Sequence, residues 1–204
     1  MQRFVIVVVV MMLAAVAAFA PVGSRSRLSG LTMAEKSQAL PFMQMPPALV
    51  GVPNTNGFDP VGFSNVFDIK FLREAELKHC RVAMLAALGF VATSFVHLPG
   101  AIHEVGTVAA HDAAVKSGAL EQVLLWTSLL EIITFKAVTG MMDGTNPREP
   151  GYFGFDPLKF STGKSDKVKS DLAMKELANG RLAMLAYGGM VTGAVLSGKE
   201  FPFY

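Results

Sequence analysis

Residues 76–86 read ELKHCRVAMLA and residues 176–186 read ELANGRLAMLA, so the chain repeats itself at an offset of 100 residues. Seven of the eleven aligned positions are identical, including the glutamate that opens each copy and the arginine five positions later. Both copies lie in largely apolar stretches, where chance similarity would not readily match charged residues. The repeat therefore indicates an internal duplication that folds as two related helices.

The rest of the 204-residue chain extends this pattern to three helices. Long apolar segments cover about residues 72–96, 120–141 and 172–196, and each reaches the about 20 residues that a bilayer core requires. Only 17% of the residues are charged, against about 25% in soluble domains. We predict an all-α membrane protein with three transmembrane helices, of which the first and third form a crossed pseudo-twofold pair.

The N-terminal 34 residues have the composition of a targeting sequence. They hold three arginines and no acidic residue, with an apolar run at 4–19 followed by a Ser- and Arg-rich stretch. A membrane anchor is disfavoured because the run is shorter than a span, and a simple signal peptide is the alternative. Residues 1–34 resemble the bipartite presequences of red-lineage secondary plastids, which leaves 35–204 as the three-helix domain.

Charge and cysteine usage exclude several classes of protein. The net charge is +2, and without the three presequence arginines 15 basic residues face 16 acidic ones, a formal charge of −1. No strongly basic surface for nucleic acid is expected. Cys80 is the single cysteine, so there is no disulfide framework; we expect it to pack as a small buried residue.

The charged residues of the repeat predict how the two helices pair. Glu76 and Arg81 are five positions apart, about 140° around a helix, so they do not face each other. An ionisable group at bilayer depth needs a partner. Pairing across the crossed helices, Glu76 with Arg181 and Glu176 with Arg81, neutralises all four charges. The alternative is that these residues lie solvated at the headgroup level.

Neutralised carboxylates keep free oxygen lone pairs, and other Lewis bases lie beside them. His79 follows Glu76 by three positions, and Asn179 occupies the equivalent place after Glu176. A magnesium ion already held by four ring nitrogens needs one such axial ligand, whereas a free metal ion needs several converging ligands. Each of these residues therefore suits the role of single axial ligand to one macrocycle.

The second predicted helix carries further polar candidates. Glu131 lies in mid-helix, with Gln122 about two and a half turns earlier and Lys136 five positions later. A mid-membrane glutamate is a functional-site candidate. Its structural alternatives are a bond to a neighbouring helix or neutralisation by Lys136.

The two helix motifs look like the paired signatures of the light-harvesting chlorophyll-binding superfamily. The turns Gly-Phe-Asp-Pro at 57–60 and 154–157 resemble its chlorophyll a/c, fucoxanthin-chlorophyll-protein-like branch, and their Asp-Pro suits an N-cap before a first helical residue. The resemblance implies chlorophyll magnesium ligands at Glu76, His79, Glu176, Asn179, Glu131 and Gln122, ion pairs completed by Arg81 and Arg181, and carotenoid ends at Phe58, Asp59, Pro60, Phe155, Asp156 and Pro157.

The resemblance further implies a non-enzymatic photosynthetic antenna in a plastid thylakoid membrane. Its cofactors would be chlorophyll a, chlorophyll c and a xanthophyll (fucoxanthin-like, alloxanthin or peridinin). Its partners would be a photosystem I or II core, other antenna subunits and thylakoid lipid, with no nucleic acid. Pigments would fill the gaps between helices, so the apoprotein should be unstable. Many relatives carry a Gln ligand where this chain has Gly193, so a chlorophyll there would need another ligand or be absent.

Three rival functions remain open from the sequence. A photoprotective quencher of the same family would sense pH through acidic lumenal residues, and the tail offers only Glu200. A metal-dependent membrane enzyme would favour Glu-x-x-His on two helices, but the second copy has Asn179. A transporter would need broken helices. The loop histidines His97, His103 and His111 are expected to be solvated.

Overall fold

The computed structural model describes residues 36–52, 55–100 and 103–203. The chain divides after Ile69 into two compact units. The predicted presequence at 1–34 lies outside the described residues. Within them the fold is helical, with one isolated bridge between Lys36 and Gln44 and no strand. The α-helices are α1 (Ile69–Phe95), α2 (Thr107–Lys116), α3 (Ala119–Met142) and α4 (Asp166–Ser197).

The N-terminal unit is an irregular arm held by polar contacts. Two 3₁₀ turns, Pro47–Leu49 and Phe63–Asn65, are its helical elements. Its centre is Ser37, which is 2% exposed and whose hydroxyl donates to the Gly57 carbonyl at 2.7 Å. Most large apolar side chains of the arm are exposed, so buried hydrogen bonds hold it together.

The three long helices overlap the three predicted segments, whereas α2 was not predicted. Of the described helices, α3 alone is long and apolar enough to cross a membrane by length and composition. The N-terminal halves of α1 and α4 are crowded with charged residues, which lowers their mean hydropathy. The helical fold is therefore observed, while three membrane spans are not established by this criterion.

The helical unit buries very few apolar side chains. Most large apolar residues on the helices are exposed, for example Leu85 at 72% and Leu185 at 77%. Soluble proteins rarely leave apolar faces of this extent uncovered. The helices thus touch at a few points and leave their sides open. The buried apolar residues described in this unit are Cys80, Val138, Met141, Leu177 and Ala194.

The point where α1 and α4 meet is formed by Cys80 and Gly180. Cys80 is fully buried, as predicted for it. A Cβ atom placed on Gly180 would lie 2.6 Å from the Cys80 sulfur and 3.1 Å from its Cα. Only a residue without a side chain lets the two backbones approach this closely, as small residues do between membrane helices.

Replacing Gly180 with alanine is expected to destabilise the protein by about 1–3 kcal/mol, the usual cost of overpacking. The added Cβ overlaps Cys80, including its backbone Cα, which cannot move aside without shifting α1. The measurement is the thermal unfolding of the purified protein in detergent. Gly188→Ala is the matched control, because no atom lies within 4 Å of its Cβ position. Equal losses in both variants would contradict close packing at Gly180.

Candidate functional site

The charged residues of the duplicated helices lie in two reciprocal ion pairs. Arg81 Nε donates to Glu176 Oε1 at 2.7 Å, and Arg181 Nε donates to Glu76 Oε1 at 2.8 Å. Each glutamate of one helix thus contacts the arginine of the other, on either side of the Cys80–Gly180 contact. The pairs fix the two helices in one register, because sliding either helix would break both.

Each of these carboxylates uses only one of its oxygens for the arginine. Among the described residues, Oε2 of Glu76 and Oε2 of Glu176 have no hydrogen-bond partner. Both side chains are about one-third exposed in the protein. Each glutamate is therefore charge-neutralised on one side and offers an accessible lone pair on the other, which is what a single axial metal ligand requires.

His79 and Asn179 make the same local contact in the two copies. His79 Nδ1 lies 2.7 Å from the Ala75 carbonyl, and Asn179 Nδ2 donates to the Lys175 carbonyl at 2.9 Å. Since a carbonyl only accepts, Nδ1 carries the proton and the Nε2 lone pair of the exposed His79 is free. The Asn179 side-chain oxygen is likewise free. Both copies thus present an outward Lewis base, held by the residue four positions earlier.

The two polar candidates on α3 lie in different surroundings. Gln122 lines a groove of about 690 Å³ together with Trp126 and His103. Glu131 forms a 2.6 Å ion pair with Lys78 of α1. The structure thus gives Glu131 a cation on the neighbouring helix instead of Lys136.

A buried ion pair that the sequence analysis missed fastens the α3–α4 connection to α1. Arg148 Nη2 donates to Glu74 Oε2 at 3.0 Å, and the two side chains are 9% and 3% exposed. The same oxygen accepts the Gly151 N–H, and the Arg148 guanidinium lies 4.5 Å from the centre of the Phe153 ring. No repeat or spacing marks these charges, because Arg148 belongs to a Gly- and Pro-rich loop.

The two Asp-Pro turns cap loops, which corrects the expectation that they begin helices. Asp59 Oδ1 accepts the N–H groups of Gly62 and Phe63, and Asp59 Oδ2 accepts the N–H and hydroxyl of Ser64. Helices α1 and α4 begin ten residues after their respective Asp residues. The turn closes on itself because the carboxylate can accept several nearby donors, whereas an N-cap serves the helix directly.

Asp156 makes the same kind of turn in the second copy. It accepts from the hydroxyl and N–H of Ser161, from both donors of Thr162 and from the Phe160 N–H. The bonds from Ser161, then those from Thr162 and Phe160, hold the pKa of Asp156 far below its usual range despite some opposing desolvation. Because the pKa is lowered on folding, this stabilisation is full above about pH 4 and is lost as pH falls further.

Burial raises the pKa of Asp59, but the hydrogen bonds from Ser64, Phe63 and Gly62 outweigh it and leave the pKa lowered. The stabilising contribution of this carboxylate therefore has the same sign as that of Asp156: it is kept above the unfolded pKa and lost in stronger acid. Neither turn is a sensor of mildly acidic pH.

The remaining predicted positions lie at the periphery. The histidines His97 and His103 of the loops and His111 of α2 are exposed, as expected. The ring of Phe203 lies 3.4 Å from where a Cβ of Gly193 would be. A longer side chain at position 193 would meet this ring, so Phe203 covers this position.

The donors fit single axial ligation better than a protein-built metal centre. Across the described residues, no three His, Cys, Asp or Glu side chains converge to hold a metal ion. Glu76, His79, Glu176 and Asn179 instead stand singly, each with a free lone pair beside exposed apolar helix surface. Each of these residues could thus hold one magnesium-bearing ring as its single ligand, with exposed apolar helix surface beside it.

Comparison with known proteins gives the same class. The chlorophyll A-B binding protein family matches residues 45–195. The chain is 33% identical over 169 aligned residues to light-harvesting complex stress-related protein 1 of Chlamydomonas reinhardtii, covering 74% of this chain and 65% of the relative. It is 31% identical over 159 residues to a fucoxanthin-chlorophyll a-c binding protein of Chattonella marina var. antiqua, covering 69% and 65%. A fucoxanthin-chlorophyll a-c binding protein of Isochrysis galbana is 32% identical over 166 residues, covering 72% and 76%.

The chain therefore belongs to the chlorophyll a-b binding protein family, within the light-harvesting chlorophyll-binding superfamily. The resemblance drawn from the two helix signatures is confirmed. The family consists of pigment-binding proteins, and the relatives named here are chloroplast proteins. The chain spans about 65% of the length of the first two relatives.

Proposed function

We propose that this chain is a photosynthetic antenna protein that binds chlorophyll a, chlorophyll c and a xanthophyll and passes excitation energy to a photosystem. The observation that carries the proposal is the duplicated ligand set on the crossed helices. Glu76 and Glu176 are neutralised by arginines and keep one free oxygen each, while His79 and Asn179 present free lone pairs beside them. Bound chlorophyll would supply light absorption, and the protein would fix the position and orientation of each ring.

The open helix faces support the same proposal. Large exposed side chains such as Leu85, Leu182 and Leu185 lie near the ligand residues on α1 and α4. Flat apolar macrocycles would cover these faces and remove the apolar surface from water or lipid. Gln122 and Glu131 would hold further rings on α3. The turns at Phe58, Asp59 and Pro60, and at Phe155, Asp156 and Pro157, would receive carotenoid ends.

The cellular setting is proposed from the same features. All three long helices would cross a thylakoid membrane, with the four charges of the crossed pairs of α1 and α4 neutralised. Residues 1–34 would direct the chain into a red-lineage secondary plastid, in agreement with the fucoxanthin-chlorophyll relatives. Photosystem I or II, other antenna subunits and thylakoid lipid would be its partners. No chlorophyll is proposed at Gly193, because Phe203 covers that position.

Purified protein from thylakoids tests the antenna proposal directly. We expect chlorophyll a, chlorophyll c and a xanthophyll by chromatography, and chlorophyll a fluorescence when the accessory pigments are excited. The excitation spectrum should follow the absorption spectrum, because an antenna would pass the energy absorbed by its accessory pigments to chlorophyll a. A stably folded but colourless protein would refute the proposal.

A photoprotective quencher is the second candidate, favoured by the 33% identity to a stress-related light-harvesting protein. The two candidates differ in fluorescence lifetime. An antenna keeps a long chlorophyll a lifetime at pH 5 and at pH 7.5, whereas a quencher shows a short lifetime that shortens further in acid. The lifetime measured on the purified complex therefore decides between the two roles.

A further inference from the structure

A third ion pair between helices joins α1 to α3. Lys78 Nζ lies 2.6 Å from Glu131 Oε2, and this contact is separate from the two pairs that join α1 to α4. Lys78 immediately precedes His79, so the cation and one ligand candidate come from the same turn of α1. The corresponding residue of the second copy is Ala178, so this cation is not part of the repeat.

The ion pair occupies only one of the two carboxylate oxygens of Glu131. Its side chain is 63% exposed, whereas that of Lys78 is 28% exposed. Among the described residues Oε1 of Glu131 has no hydrogen-bond partner, and exposed Leu130 and Ile132 flank it along the chain. An accessible carboxylate oxygen thus lies between exposed apolar side chains, with its charge neutralised from one side only.

An anionic ligand needs such a cation more than a neutral ligand does. A magnesium macrocycle is already neutral, because its ring supplies two negative charges, so binding it does not offset the charge of a glutamate. An uncompensated carboxylate under an apolar ring is costly. An amide oxygen, like that of Asn179 or Gln122, carries no charge and needs no partner cation.

We propose that Lys78 is a positioning residue for a magnesium macrocycle held by Glu131. Its ammonium group neutralises Glu131 and fixes Oε2, which turns Oε1 outward as the axial ligand. The inference rests on the proposed function, which it deepens by naming the cation that makes this third glutamate usable. Lys136, on the same helix as Glu131, has no such part.

The test compares pigment content in purified complexes assembled from each variant chain and a thylakoid pigment extract. Lys78→Met is expected to lose one chlorophyll per polypeptide, with a matching loss in the difference absorption spectrum. Lys136→Met is the matched control and should keep all its pigment. An amide oxygen at position 131 can ligate magnesium without a counter-charge. Adding Glu131→Gln to Lys78→Met should therefore restore the lost chlorophyll.

Recovery of the chlorophyll in the double variant distinguishes a positioning role of Lys78 from a purely structural link between α1 and α3. A double variant that stays depleted would overturn the proposal, since Lys78 would then merely tie α1 to α3. Full pigment content in Lys78→Met would overturn it too. If the unmodified chain assembles without chlorophyll, the proposed function itself fails, and the inference falls with it.

Discussion

Arg148→Leu should unfold the α3–α4 connection and lower stability by about 3–5 kcal/mol, the cost of removing one partner of a buried ion pair. Glu74 is 3% exposed, so without Arg148 its charge would remain buried and unmatched. Thermal unfolding of the purified complex, followed by far-ultraviolet circular dichroism, measures the loss. Lys164→Leu in the same connection is the matched control and should change little, because Lys164 is exposed.

A second substitution separates charge burial from general damage to the loop. Glu74→Gln removes the charge but keeps a carbonyl oxygen that can accept the Gly151 N–H. Combined with Arg148→Leu, it should recover most of the lost stability, because neither partner then leaves a buried charge. A double variant no more stable than Arg148→Leu alone would show that packing of the arginine, including its contact with Phe153, is what matters.

Arg181→Leu is expected to remove the chlorophyll that we propose Glu76 holds and to weaken assembly of the complex. Glu76 would lose its 2.8 Å partner and would have to carry an unmatched charge under an apolar ring. Pigment analysis per polypeptide and the absorption difference spectrum measure the loss. Arg181→Lys should retain more pigment, since it keeps the charge while losing the rigid planar fork of arginine.

The second copy supplies an internal comparison for this experiment. Arg81→Leu disturbs Glu176 in the same way, so it should remove a different chlorophyll and leave a different spectral loss. Unchanged pigment content in Arg181→Leu would refute the role of the crossed pairs. Identical spectral losses from both arginine variants would mean that the two sites fail together. Neither glutamate would then hold a chlorophyll of its own.

The duplicated segment allowed much of the helical pairing to be anticipated from sequence. Charged residues matched between two apolar segments have few ways to be neutralised, and helix geometry excludes pairing within one segment. The sequence alone therefore restricts each glutamate to the arginine of the other helix.

Other contacts were beyond sequence reasoning because they depend on tertiary geometry without a repeating pattern. Lys78 reaches Glu131 across 53 residues of chain, and a lysine outside the duplication gives no sign of its partner. Arg148 and Glu74 are 74 residues apart. Helix α2 lies in a short stretch of mixed polarity whose helical periodicity is weak, and the Asp-Pro turns satisfy their donors locally instead of starting helices.

The scarcity of buried apolar side chains has a consequence for how much of this protein a cell can hold. If pigments complete the interior, each bound ring stabilises the folded chain by mass action, and its free concentration enters the folding equilibrium. Chains made faster than pigments would stay incompletely folded and open to proteolysis. The number of folded chains would then follow the rate of pigment synthesis, with no separate regulator needed to match the two.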